Sequence, residues 1–134
     1  MHSIARLVVL VTCVFGTLAY PAHAQDYPGY KRTILQQVDL TGATGMEVIS
    51  AIAELQPGGA IPRHFHHGIE ALYVIEGAMI QEPGKEPRML PTGANAFFLR
   101  EVPHGGFKVV GDKTMKVFTV HVVDKEKPLF AEVK

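Results

Sequence analysis

Gly58-Gly59-Ala60-Ile61-Pro62-Arg63-His64-Phe65-His66-His67-Gly68-Ile69-Glu70, running on through Ala71-Leu72-Tyr73-Val74-Ile75-Glu76 to Gly77, is the stretch whose reading decides the fold. Glycines punctuate both ends, and Leu72 to Ile75 is rich in β-branched and aromatic residues. It therefore reads as two short strands joined at a His-Gly turn. His64 and His66 stand two residues apart. On an extended strand that spacing turns both imidazoles to one face, because side chains alternate with period two. Glu70 follows just after the turn. Two nitrogen donors and one carboxylate can therefore converge from neighbouring strands, a layout suited to a borderline first-row cation. His67 points by the same alternation to the opposite face and is expected at the surface or rim.

Outward from this stretch the chain keeps the same character. Lys31 to Leu40 reads as a first strand, and Thr41 to Gly45 as a turn. Met46 to Leu55 alternates, with Glu47, Ile49, Ala51, Ala53 and Leu55 on one face. Ala78 to Gln81, Arg88 to Leu90, Ala94 to Leu99 and Phe107 to Val110 are further short strands between Gly/Pro turns, with Val102 to Gly106 read as one such turn. Thr114 to Val123 alternates most clearly, placing Met115, Val117, Thr119, His121 and Val123 together. Short strands at regular spacing, with no sustained helical period, predict an all-β sandwich or barrel. The stretch from Asp124 to Lys134 reads as a charged tail.

Residues 1–24 have the form of a cleaved signal peptide: a short n-region with Arg6, an apolar run from Leu7 to Ala19, and a small-x-small site at Ala22-His23-Ala24. A lipoprotein leader cut before Cys13 fits less well, because Thr12 stands where a small Ala, Gly or Ser belongs. Setting 1–24 aside removes Arg6, Cys13, His2 and His23. That leaves 12 Lys/Arg against 13 Asp/Glu, five histidines and no cysteine. The expected location is periplasmic or secreted. Near-neutral charge gives no footprint for nucleic acid or an anionic membrane surface. With no cysteine there is no disulfide, no thiolate nucleophile and no thiolate ligand. The remainder divides into an N-terminal arm and first strand over 25–45, a barrel over 46–123 and a tail over 124–134. A core of this size has little margin, so a homodimer through the edge strands and the arm is expected.

The spacing Gly58, five residues, His64-x-His66, three residues, Glu70, six residues, Gly77 resembles the first motif of the cupin family at every position. The family's second motif is Gly, five residues, Pro-x-Gly, two residues, His, three residues, Asn. Only Gly93 and His104 keep it here; Leu99, Glu101 and Lys108 stand at the Pro, Gly and Asn positions. The resemblance covers about Met46 to Val123. It implies a single-domain jelly-roll β-barrel with one divalent transition metal per chain, of the Fe²⁺, Mn²⁺, Ni²⁺, Cu²⁺ or Zn²⁺ type. The ligands it implies are His64, His66, Glu70 and His104, with open coordination positions left for substrate. Glu70 is either a ligand and catalytic base or a group that only orients an imidazole.

The substrate expected in such a site is a small apolar or aromatic molecule. The resemblance implies a dioxygenase of the quercetinase-like type, and leaves open a non-redox lyase, isomerase or decarboxylase, and a binding module without turnover. His121 is either a partner of the site, if its face lines the barrel, or a solvent-facing residue on an edge strand. Phe65, Tyr73, Phe97, Phe98, Phe107 and Phe118 are expected in the core or at a dimer interface, with Tyr73 facing away from the metal. Leu72, Met46 and Leu99 are expected to line an apolar pocket. Arg100 and Lys108 are expected at its mouth, facing an anionic substrate or solvent.

Overall fold

A computed structural model describes residues 27–133. The leader expected over 1–24 lies outside the described residues, as does the start of the arm. Ten strands follow in order, with no helix among the described residues: β1 Tyr30–Asp39, β2 Met46–Leu55, β3 Ala60–Phe65, β4 Gly68–Glu76, β5 Ala78–Gln81, β6 Arg88–Leu90, β7 Asn95–Phe98, β8 His104–Val110, β9 Met115–Asp124 and β10 Ala131–Glu132. They form two antiparallel five-stranded sheets, ordered β1-β2-β9-β4-β7 and β10-β3-β8-β5-β6. The architecture is the jelly roll that the family resemblance implies, within the all-β class that the strand spacing predicts.

The alternation of β2 and β9 is carried into burial without a break: the inner face of β2 is Glu47, Ile49, Ala51, Ala53 and Leu55, and that of β9 is Met115, Val117, Thr119, His121 and Val123. The two strands pair so that Leu55 meets Met115 and Ile49 meets His121. One end of the barrel is filled by Leu55, Val74, Ile80, Val109, Met115 and Val117. Toward the other end the inner face turns polar through Thr119 and His121. β9 lies between β2 and β4, so His121 is on a central strand and the solvent-facing reading is overturned: the residue is 1% exposed.

Two segments differ from expectation. His104 opens a strand instead of sitting in a turn. Gly105 and Gly106 read as a turn because they are paired glycines, yet they stay within β8 at φ of 71° and 78°, and its pairing with β3 keeps one register. A side chain at Gly105 would sit 2.9 Å from His64 Nδ1. The expected tail at 124–134 also does more than trail. It returns to pair Ala131 with Phe65 and Glu132 with His64, and Phe130 is buried.

Glu101 has φ of 60°, in the left-handed region that favours glycine, and it stands at the glycine position of the second motif. The loop shape the glycine would serve is kept: the Glu101 amide donates to the His66 carbonyl at 2.9 Å. His67 Nδ1 donates to the Glu101 carboxylate at 3.2 Å, an exposed contact of small worth. Restoring the glycine by Glu101→Gly should therefore raise stability by up to about 1 kcal/mol, visible as a small rise in Tm by calorimetry. A clear fall would show that the His67 pair outweighs the backbone cost.

Candidate metal centre

The register of the two sheets delivers the four candidate ligands to one place. On sheet two, β3 and β8 set His64 opposite His104. On sheet one, β4 places Glu70 opposite His121 on β9 and Phe98 on β7. His66 lies just past the end of β3, in the link that crosses from one sheet to the other. Gly68 makes that crossing possible, since a side chain there would run into the Val122 carbonyl at 2.0 Å. The ligand atoms of His64, His66, Glu70 and His104 all lie within 4.8 Å of one another. All four side chains are almost wholly buried.

Each imidazole is oriented from behind by a backbone carbonyl. His64 Nδ1 donates to Pro62 O at 2.9 Å and His104 Nδ1 to Val102 O at 2.9 Å. His66 Nδ1 donates to Leu129 O. A carbonyl can only accept, so Nδ1 carries the hydrogen in each ring. The Nε2 of the neutral ring is then a bare lone pair aimed at the centre. Glu70 Oε2 sits 3.1 Å from His66 Nε2 and 2.9 Å from His104 Nε2. Lone pairs facing a carboxylate at that range repel unless a positive charge lies among them, as a proton or a metal ion. Three imidazoles and one carboxylate, with no thiolate, fit a divalent transition metal with a net charge of +1.

The protonation tendencies agree with that fit. Burial pushes the His64 imidazole down to about 3, which favours the neutral, ligating form. Burial pushes the Glu70 carboxyl up, while positive charge shared with His104 and His66, as a proton on a ring nitrogen or a cation in its place, outweighs burial and holds the group well below the usual carboxylate range. Glu70 is therefore an anion. Its Oε2 is turned to the imidazoles while Oε1 lies 4.0 Å from His121 Nε2. His121 Nε2 also meets Thr119 Oγ1 at 3.1 Å, and its buried Nδ1 has no hydrogen-bond partner. Burial pushes His121 down to about 3, with Glu70 opposing, so it is a neutral imidazole beside the carboxylate.

Rings from both sheets brace the ligands. Phe98 stacks on His104 at 3.9 Å and 2°, and Phe130 on His64 at 3.9 Å and 19°. Leu129 and Phe130 were not anticipated as site residues. The only signal was an isolated apolar pair after Pro128, masked by the charged run Asp124-Lys125-Glu126-Lys127.

A cavity of about 280 Å³ opens over Glu70, His64, His104 and His121. Leu72, Phe98 and Phe107 line it as part of an apolar wall, but Met46 and Leu99 do not, and Leu99 is exposed. Tyr73 is also exposed, as its alternation requires. Phe97 is far from core: it is 75% exposed on the outer face of β7. Arg100 and Lys108 do not line the cavity either. Arg100 is held by Asp124 through two bonds of 2.9 and 3.0 Å, and Lys108 points to solvent.

Known proteins add to this picture. Residues 51–121 match the family model described as Cupin domain. No curated protein matches the chain. Among solved structures, the polyketide cyclase RemF from Streptomyces resistomycificus is 27% identical, with a TM-score of 0.55 over 79% of this chain and 72% of that one. An uncharacterized conserved protein with a double-stranded beta-helix domain from Klebsiella pneumoniae is 15% identical, with a TM-score of 0.58 over 88% of this chain and 100% of that one. The DMSP lyase DddQ from Ruegeria pomeroyi is 20% identical, with a TM-score of 0.53 over 73% of this chain; the chain spans 49% of that lyase. The complete first motif, the two facing sheets and a match that runs from β2 through β9 have one reading: this chain belongs to the cupin family.

Proposed function

We propose that this cupin is a metal-dependent enzyme that activates small apolar or aromatic carbonyl compounds by removing a proton beside the carbonyl. The observation that carries this reading is the orientation of Glu70, one oxygen toward the imidazoles and the other free beside His121 at 4.0 Å. His64, His66, His104 and Glu70 Oε2 would hold the ion. A divalent cation bound there supplies Lewis acidity, polarising a carbonyl and acidifying the adjacent C–H. Glu70 Oε1 accepts the proton, and neutral His121 stands within reach to steady the carboxyl that results. The apolar wall keeps water from competing for that proton. Turnover then follows the substrate: ring closure, elimination or isomerisation. Likeness to a polyketide cyclase at 27% identity supports this non-redox class.

A second reading is a dioxygenase, in which the deprotonated substrate is oxidised by O₂. The thiolate-free donor set favours it, since it accommodates redox-active iron, manganese or copper as well as zinc. Work outside the cytoplasm, supported by the leader form of residues 1–24, and homodimerisation, supported by exposed Ile34, Leu35 and Val38 on edge strand β1, belong to the same proposal.

The deciding experiment measures bound metal by elemental analysis, then follows a β-diketone panel by deuterium exchange and O₂ uptake. Exchange or C–C chemistry without O₂ uptake supports the first reading. Stoichiometric O₂ uptake selects the dioxygenase, and bound metal with neither leaves a binding module.

Three further outcomes are expected. Saturating metal should raise Tm by about 10 °C over chelator-treated protein, and His104→Ala should abolish the rise. Glu70→Gln should lower the rate of proton removal by about 10²- to 10⁴-fold, more than it weakens metal binding, as seen by comparing exchange rates with metal titration. Phe130→Ala should leave all four ligands in place but loosen His64, weakening metal affinity about 10-fold in competition with a chromogenic chelator.

A further inference from the structure

We propose that Arg32 anchors a carboxylate on the substrate, so that the cavity takes a compact keto acid: carboxylate at the guanidinium, carbonyl at the histidine cluster. The carbonyl half rests on the reading above; the carboxylate half stands on Arg32 itself.

Arg32 lies near the start of β1, inward-facing like Tyr30, and it is half-buried while Thr33 through Asp39 are all exposed. Its side chain lines the cavity. The guanidinium carbon sits 5.6 Å from the Tyr30 ring centroid and 5.7 Å from that of Phe130. Such rings hold a guanidinium by its face and leave its in-plane N–H donors free. Phe130 in turn stacks on His64 at 3.9 Å. Those two spans laid end to end are the farthest the guanidinium can be from the His64 ring.

The other charges lining the cavity are already matched. Arg88 is held by Glu82, with Nη2 at 3.1 Å from Oε1. Glu70 is engaged by the imidazoles. Arg32 alone among these has no carboxylate within ion-pair range among the described residues, its contacts being the two rings. A cation set against an apolar wall without a counter-ion is costly, and a ligand anion removes the cost. The planar fork of arginine matches a carboxylate through two parallel hydrogen bonds. A dry cavity near 150 Å³ admits benzene, so about 280 Å³ admits a substituted ring with a short acidic arm.

The test titrates metal-loaded protein by calorimetry with 4-oxo-4-phenylbutanoate and with its uncharged methyl ester. The wild type should bind the acid at least about ten-fold more tightly than the ester. Arg32→Gln should erase that preference and leave the ester unchanged. Arg32→Lys, which keeps the charge without the fork, should retain part of it. Arg88→Gln, which removes a charge already paired, should keep it. An acid preference that survives Arg32→Gln, no preference in the wild type, or no binding of either compound overturns the anchor. The same titrations on chelator-treated protein separate the two halves. Acid preference that needs Arg32 but gains nothing from metal keeps the anchor and removes the carbonyl reading. Metal that tightens both compounds, with no acid preference in the wild type or one that survives Arg32→Gln, keeps the carbonyl reading and removes the anchor.

Discussion

A buried carboxylate oxygen lies within 3.1 Å of two imidazole nitrogens whose hydrogens are committed elsewhere. That arrangement is the constraint on which the rest of the structure depends. Left without a cation it is a cluster of lone pairs in a low-dielectric interior, and the desolvation cost of the Glu70 charge is several kcal/mol or more. With a divalent ion the same geometry becomes attractive. The fold thus supplies rigidity, and a metal held there would supply the compensating charge and couple folding to metal binding.

The rigidity comes from where the ligands are mounted. Two of the four, His64 and His104, face each other across a ladder in sheet two, and Glu70 sits in sheet one between β9 and β7. A one-residue slip in any of these ladders would turn a ligand to the outside. The inward alternation of β2 and β9 keeps the register from slipping, because it buries an unbroken row of side chains on one face. The chain's last described segment then closes the ring. Leu129 fixes the tautomer of His66, and Phe130 braces His64 on one side and Arg32 on the other. The candidate ligand His64 and the proposed anchor Arg32 therefore share one aromatic ring.

Much of this was legible in the residues. The strand series, the common face of His64 and His66, and the outward turn of Tyr73 all follow from period-two alternation, a local property. His104 needed the family frame, because a lone histidine beside Gly105-Gly106 reads as a turn; only the two positive φ values show why the strand survives there. His121 could not be settled, because alternation gives a face but not which face is inside. Leu129, Phe130 and Arg32 were invisible for a different reason. Their roles arise from contacts across long sequence separations, and the charges around Leu129 and Phe130 made that segment look solvated.

The departures from the second motif point the same way. Leu99, Glu101 and Lys108 replace the family's Pro, Gly and Asn, yet none of the three lines the cavity, and Glu101 still holds the loop shape at φ 60°. Leu99 and Glu101 therefore bear on how the β7–β8 loop carries His104, and Lys108 lies farther along β8 outside the cavity. On the opposite sheet edge β1 brings Tyr30 and Arg32 to the cavity from outside both motifs, which is where the proposed carboxylate anchor lies. A fold that keeps its metal ligands in the motif strands and its selecting groups on a peripheral strand can change substrate without disturbing the metal. In this chain the peripheral strand carries a cation over two aromatic rings, outside the strands that mount the four candidate ligands.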